Sequence, residues 1–148
     1  MSVSSDMSPD DLIESSLTES VIGAFFEVYN TLGYGFLEAL YIRALHQELE
    51  SRGHRVAREV LSRASYKGHV IGLQRMDMVV DEKLVVEVKS SAQLHPIAMR
   101  QLLNYLRATD LEVGLLLHFG PEPKHYRRVL SQEVRSSKSG RANQEANT

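Results

Sequence analysis

The sequence predicts an α/β domain in which a small mixed β-sheet is flanked by helices. Three observations carry this prediction. Apolar residues recur at helical spacing in the first third of the chain. Between residues 54 and 80 they alternate with polar residues as in strands, and the turn dipeptide Lys67-Gly68 separates two such runs. The chain has 148 residues, which is enough for one domain with its own hydrophobic core.

Each element follows from a local pattern and its stop signal. Two amphipathic helices are predicted before and after the helix-breaking sequence "GYG" at 33–35, and a third carries Pro96 in its first turn, where a missing N–H does little harm. The predicted order is helix 10–33, helix 36–53, strands 54–66, 69–80 and 83–90, helix 95–109 and strand 111–119. The ends at 1–9 and 131–148 are polar and predicted to be disordered, which leaves a domain at 10–130.

Composition excludes several functional classes. The chain has no Cys, so disulfides, thiolate metal sites and cysteine nucleophiles are ruled out. The N-terminal residues show no signal-peptide pattern, and no apolar run reaches membrane-spanning length, which predicts a cytoplasmic protein without membrane contact. The net charge of −2 does not mark a nucleic-acid binder. Residues 121–141 are locally basic, and we interpret them as a solvated tail rather than as a surface that steers a polyanion.

The stretch "KLVVEVKS" at 83–90 places two charges inside an apolar strand. Glu87 and Lys89 are two residues apart, so their side chains share one face of the strand. Burying a charge is costly unless it is paired or binds a metal. The stretch therefore predicts either a buried ion pair or a site that includes further charged groups.

Asp77 is the acid that the preceding strand brings to this face. If "DEK" at 81–83 is a three-residue hairpin loop, Val80 pairs with Leu84 and Asp77 lies opposite Glu87. Facing carboxylates repel each other unless a cation lies between them, and carboxylate oxygens suit Mg²⁺ or Mn²⁺. A loop one residue longer or shorter would move Asp77 to the other face.

These residues resemble a known family. The pattern D-x9-E-V-K, from Asp77 to Lys89 on consecutive strands, resembles the core of the PD-(D/E)XK nuclease superfamily. "GFLEALY" at 35–41 matches the G-x-x-E-x-x-Y signature of the GxxExxY family, a branch of that superfamily, and "QLLNYL" at 101–106 matches a Q-x-x-x-Y motif of its exonuclease-like branches. Met76 departs from the superfamily pattern, in which Pro often precedes the Asp.

The resemblance implies a restriction-endonuclease-like core and assigns roles by position. Asp77 and Glu87 become metal ligands, Lys89 the catalytic lysine, and Glu38 an additional catalytic and metal-binding acid from the second helix. The implied activity is metal-dependent hydrolysis of phosphodiester bonds, with Mg²⁺ or Mn²⁺ as cofactor and DNA or RNA as substrate.

Gln101 and Tyr105 are implied to position the substrate strand. They lie one turn apart on the helix that follows the strand of Lys89, so they share one helix face. Tyr105 can equally be a core aromatic residue with a satisfied hydroxyl group.

Two alternatives to an active nuclease stay open. One is a catalytically silent nuclease-fold module that binds nucleic acid. The other is a structural subunit that joins a protein partner or forms a homo-oligomer. The six histidines lack paired ligand spacing and are interpreted as structural or surface residues.

Overall fold

A computed structural model describes residues 8–132 of the chain. The predicted disordered ends, 1–9 and 131–148, lie outside this range except for four residues. The elements within it, in chain order, are α1 Pro9–Leu12, α2 Ser15–Leu32, α3 Glu38–Ser51, β1 Val56–Tyr66, β2 His69–Val80, β3 Leu84–Ser90, α4 Ile97–Ala108, β4 Val113–Phe119 and β5 Pro123–Val129.

The strands form one mixed sheet in the order β1-β2-β3-β4-β5. Strands β1, β2 and β3 pair antiparallel, β3 and β4 pair parallel, and β5 is antiparallel to β4. A parallel pair needs a crossover connection, and α4 provides it between β3 and β4. The predicted α/β fold with a small mixed sheet flanked by helices is confirmed.

Helices cover both faces of the central strands. Leu45 of α3 and Phe25 of α2 pack on one face, and Leu102 and Leu106 of α4 pack on the other. Because both faces are covered, Leu84–Val88 of β3 is buried throughout, as the apolar run at this position predicts. The site residues of β3 therefore lie on a central strand.

The structure corrects the prediction in two places. The helix predicted over 10–33 is interrupted, because Glu14 adopts a left-handed conformation (φ 51°) between α1 and α2. The basic segment predicted as part of a solvated tail contains strand β5, which pairs with β4 along its full length. β5 is an edge strand with few apolar residues, so it lacks the hydrophobic pattern by which strands are recognised.

No helix among residues 8–132 is long and apolar enough to cross a membrane.

Candidate active site

The turn between β2 and β3 sets the register of the candidate site. Val80 pairs with Leu84, so residues 81–83 form the predicted three-residue turn. Asp81 and Glu82 both have positive φ angles, 52° and 59°, which lets the chain reverse within three residues. The paired ladder runs back to Met78 and Val86, which brings the next positions, Asp77 and Glu87, opposite each other.

The sheet is irregular at Asp77. Met76 and Met78 are two residues apart, yet their side chains pack in the clusters on opposite sheet faces. In β1, Arg58 pairs with Met78 and Val60 with Met76, so Glu59 is the residue across from Asp77. Glu59 has a φ of 52°, which is unusual inside a strand. The regular alternation of side chains thus breaks at the position where the carboxylate is placed.

Side chains replace the backbone ladder between Asp77 and Glu87. The backbone N–H of Asp77 donates to Glu87 Oε1 over 2.8 Å, and the N–H of Val88 donates to Asp77 Oδ2 over 2.8 Å. Each carboxyl group therefore accepts a hydrogen bond from the opposite strand. These two hydrogen bonds hold the acids opposite each other, just beyond the last paired residues of β2 and β3.

The surroundings of Glu87 disfavour its charged form. The Glu87 side chain is 4% exposed. Burial, and then the neighbouring charge of Asp77, raise the pKa of Glu87 to about 8, although the Asp77 N–H and Lys89 act in the opposite direction. Without a further cation, Glu87 is therefore largely protonated at neutral pH.

The metal-free protein should lose stability as pH rises towards the pKa of Glu87. The pKa of Glu87 rises on folding, from 4.5 to about 8, so folding favours its protonated form. This contribution is fully present below pH 4.5 and is lost as pH rises through about 8. Urea unfolding in EDTA at pH 5 to 9 measures the trend. The Glu87→Gln variant, which cannot titrate, should show a flatter curve, and equal slopes for the two proteins would contradict this account.

Glu38 reaches the site from α3, which packs on the sheet face opposite to that of α4. It is the first residue of α3, and its Oε1 accepts a hydrogen bond from the N–H of Ser90 at the end of β3 (3.3 Å). Burial raises the pKa of Glu38, the charge of Lys89 lowers it and the charge of Asp77 raises it further. The pKa of Glu38 thus depends on the charges of both Lys89 and Asp77.

The glycine and tyrosine of "GFLEALY" hold Glu38 in place. Gly35 has a φ of 110°, which favours glycine. Tyr41 is fully buried, and its ring stacks on Phe119 with 4.0 Å between centroids. Its hydroxyl group donates to the carbonyl of Gly33 and accepts from the N–H of Phe36 (3.2 Å). Tyr41 therefore stabilises the loop that leads into α3, whose first residue is Glu38.

Removing the Tyr41 hydroxyl group should loosen this loop. The Tyr41→Phe change keeps the stacked ring but leaves the Gly33 carbonyl and the Phe36 N–H without their partner. We expect a loss of about 1–2 kcal/mol in the free energy of unfolding. Urea denaturation measures this loss, and Tyr34→Phe, at a half-exposed position in the same loop, is the matched control. A Tyr41→Phe protein as stable as wild type would show that the hydroxyl group does not stabilise the loop.

Lys89 and Gln101 line a common cleft of about 290 Å³. We call it the Lys89 cleft. Glu38 forms part of its wall, and the rest comes from the end of β3, the connection to α4 and the first turns of α4. The structure therefore brings Gln101 to the same cleft as Lys89 and Glu38.

Tyr105 lies close to Asp77 and Glu87, but its hydroxyl group already donates a hydrogen bond within the protein. It donates to the carbonyl of Arg75 over 3.1 Å. Burial, followed by the charges of Glu87 and Asp77, raises the pKa of Tyr105 to about 12. Tyr105 thus lies beside the acid pair. Its hydrogen bond links α4 to β2 at Arg75, two residues before Asp77.

Ser90 and His118 are structural contributors that sequence reasoning did not single out. The Ser90 hydroxyl group donates to the carbonyl of Phe36 (2.7 Å), which joins the end of β3 to the loop before α3. His118 is buried, and its Nε2 lies 2.9 Å from the carbonyl of Ser91 in the wall of the Lys89 cleft. The only sequence signal for Ser90 is its position directly after Lys89.

The donor atoms fit a divalent metal ion in part. Asp77 and Glu87 each use one oxygen for a backbone N–H, and their adjoining carboxyl groups offer the hard oxygen ligands that Mg²⁺ and Mn²⁺ prefer. Across residues 8–132, no three His, Cys, Asp or Glu side chains are grouped so as to hold a metal. Glu38 therefore does not complete a three-carboxylate cluster with this pair, and water would supply the other ligands.

Two solved structures show partial similarity to this chain. A solved structure titled "Crystal structure of SSO0001" is 23% identical with a TM-score of 0.49, and the match covers 84% of this chain and 65% of that one. An alkaline exonuclease (LHK-Exo) from Laribacter hongkongensis is 14% identical with a TM-score of 0.46, over 74% and 66% of the two chains. This chain thus spans slightly less than two thirds of each of these proteins. No curated protein matches it.

The family match covers the whole sheet and the three long helices. The sequence profile of the PD-(D/E)XK nuclease superfamily matches residues 15–129, which include every residue of the site described above. Together with the mixed five-stranded sheet, this match shows that the chain belongs to the PD-(D/E)XK nuclease superfamily.

Proposed function

We propose that this protein is a metal-dependent nuclease that hydrolyses phosphodiester bonds of DNA or RNA. The observation that carries the proposal is the interlocked pair of Asp77 and Glu87, with Lys89 on the same strand as Glu87. Two ionised carboxyl groups in contact need a cation, whereas a structural ion pair would need only one acid for one lysine. The sequence "GFLEALY" further favours the GxxExxY branch of the superfamily.

Each residue has a proposed role in the reaction. Asp77 and Glu87 would hold Mg²⁺ or Mn²⁺, with Glu38 as an additional acid nearby. The metal ion supplies Lewis acidity and charge neutralisation at the scissile phosphate. Lys89 is a compact cation that orients the attacking water or stabilises the charge that develops on the phosphate oxygens.

Substrate positioning falls to α4. Gln101 offers an amide at the cleft, where it can hydrogen-bond a phosphate or a base. Tyr105 is proposed to position the strand beside the acid pair, and the bond of its hydroxyl group to the Arg75 carbonyl holds the ring in a defined orientation.

The proposal is tested by incubating the purified protein with labelled single- and double-stranded DNA and RNA. Each substrate is incubated with Mn²⁺, with Mg²⁺ and with EDTA. We expect cleavage of at least one substrate with metal and none with EDTA. The Asp77→Asn protein, purified in the same way, controls for contaminating nucleases. Absence of cleavage with all four substrates, or equal cleavage by Asp77→Asn, would contradict the proposal.

A silent or structural role is the second candidate, and one observation favours it. The outer part of the β1–β2 hairpin exposes large apolar side chains, which is typical of a contact with a protein partner or a second copy of the chain. These side chains are between 55% and 69% exposed and comprise Leu61, Tyr66, Val70, Ile71 and Leu73. The same substrate panel, combined with a measurement of mass in solution, separates this role from catalysis.

A further inference from the structure

A second groove lies beside the candidate site, between the outer β1–β2 hairpin and the C-terminal half of α4. Its volume is about 430 Å³, compared with about 290 Å³ for the Lys89 cleft. Its polar lining residues are Arg63, Ser65, Gln74, Asn104 and Arg107, and we call it the Arg63–Arg107 groove.

The charge of this groove is uncompensated. None of its lining residues is acidic. Within the part of the chain that the structure describes, neither Arg63 nor Arg107 makes an ion pair, although six other pairs are present there. A protein with a net charge of −2 therefore concentrates two unpaired guanidinium groups in one concave surface.

The lining suits a phosphodiester group. Guanidinium groups bind phosphate oxygens through two parallel hydrogen bonds, and Ser, Asn and Gln side chains also donate to phosphates. Gln74 and Asn104 bring amide groups of this kind from the two walls, since Gln74 lies on β2 and Asn104 on α4. The groove thus offers many donors and no negative charge, which favours an anion over a neutral ligand.

Helix α4 connects the groove to the candidate active site. Gln101 lines the Lys89 cleft, whereas Asn104 and Arg107 line the groove. Arg107 lies six positions after Gln101, which corresponds to about 9 Å along the helix at a rise of roughly 1.5 Å per residue. Phosphates of one DNA strand are spaced about 3.4 Å apart along the helix axis, so this distance corresponds to roughly two or three nucleotides.

We propose that the Arg63–Arg107 groove binds a backbone phosphate of the nucleic-acid strand, roughly two or three nucleotides from the bond that is cleaved. The proposal rests on the proposed nuclease function for its substrate class. It adds a binding site outside the family motifs, because Arg63 and Arg107 belong to none of the sequence patterns that identify the candidate active site. Binding at the groove requires no turnover.

The test compares two double variants of equal charge change in binding assays without cleavage. Fluorescence anisotropy in EDTA gives the Kd for labelled single- and double-stranded oligonucleotides. Arg63→Ala/Arg107→Ala removes both guanidinium groups from the groove. The matched control, Arg55→Ala/Lys83→Ala, removes two exposed charges beside the β2–β3 turn, whose side chains are 79% and 60% exposed.

We expect the groove variant to bind on the order of tenfold or more weakly, since hydrogen bonds to charged groups are lost. The slope of log Kd against log salt should fall by roughly 0.9, because the groove binds one phosphate and each phosphate contact contributes about this much. The control should stay within about twofold of wild type, because Arg55 and Lys83 line neither the groove nor the Lys89 cleft and lose no phosphate contact there. A second variant, Arg63→Lys/Arg107→Lys, keeps the charge and should bind with intermediate affinity even if the alanine variant folds poorly.

Three outcomes would overturn the groove proposal and leave the proposed nuclease function standing. The first is an unchanged Kd and salt slope in the groove variant, and the second is equal weakening in the control. The third is competition by poly-glutamate that depends on the two arginines as strongly as oligonucleotide binding does, which would show a site for any polyanion. A wild-type protein that binds no nucleic acid in EDTA would reject the groove proposal, and absence of cleavage with metal as well would reject the proposed function. Wild-type binding with an unaffected groove variant would reject the groove alone.

Discussion

The Lys89→Met protein should lose phosphodiester cleavage by a factor on the order of 10²–10³ while it keeps its fold and its metal binding. This is the usual loss when one group that stabilises transition-state charge is removed. Lys89 lines the cleft together with Glu38 and Gln101, and the methionine side chain has a similar length without the charge. Rates under single-turnover conditions with Mn²⁺ measure the effect.

Lys83 provides the matched control for Lys89. Lys83 precedes the strand that contains Lys89, but its side chain is 60% exposed beside the turn and forms only a long ion pair, 4.0 Å, with Glu14. Lys83→Met should therefore leave cleavage unchanged. If Lys89→Met retains full metal-dependent cleavage, or if it only destabilises the fold, the charge of Lys89 serves structure rather than catalysis.

The second large effect concerns metal-dependent stability. A metal ion that binds only the folded protein should stabilise it by about 2.7 kcal/mol at roughly 100 times its Kd. Asp77 carries this effect because its carboxyl group adjoins that of Glu87 and reaches across to the N–H of Val88. Thermal unfolding with saturating Mn²⁺ should show a higher Tm than in EDTA, and Asp77→Asn should abolish most of the difference.

Asp110→Asn tests whether the effect is specific. Asp110 is an exposed acid between α4 and β4, and its change to Asn removes the same charge. This variant should show the full Mn²⁺-dependent rise in Tm. A wild-type Tm that does not respond to Mn²⁺ would favour the structural-subunit alternative instead.

The parts of the site that local chemistry determines were predictable from the sequence. Two residues with positive φ in the "DEK" turn set the pairing of Val80 with Leu84, and this pairing places Asp77 opposite Glu87. The burial of β3 follows from its continuous apolar run. Strand parity and turn length are properties of neighbouring residues, so a single sequence contains them.

Features that depend on distant contacts were not predictable. Strand β5 exists because β4 offers it an edge, although its own sequence is mostly charged and polar. The bond from the Tyr105 hydroxyl group to the Arg75 carbonyl joins residues 30 positions apart. Arg63 and Arg107 meet in one groove although neither belongs to a motif. Such contacts arise from packing, which no local pattern specifies.

The position of a bound metal ion decides whether Asp77 and Glu87 form the metal site. Crystals grown or soaked with Mn²⁺ and measured at the manganese absorption edge locate the ion by its anomalous scattering. We expect a peak in contact with the carboxyl oxygens of both Asp77 and Glu87, on the side of the acid pair that faces Lys89. A peak elsewhere in the wild-type protein, or no peak at this pair in saturating Mn²⁺, would contradict this expectation.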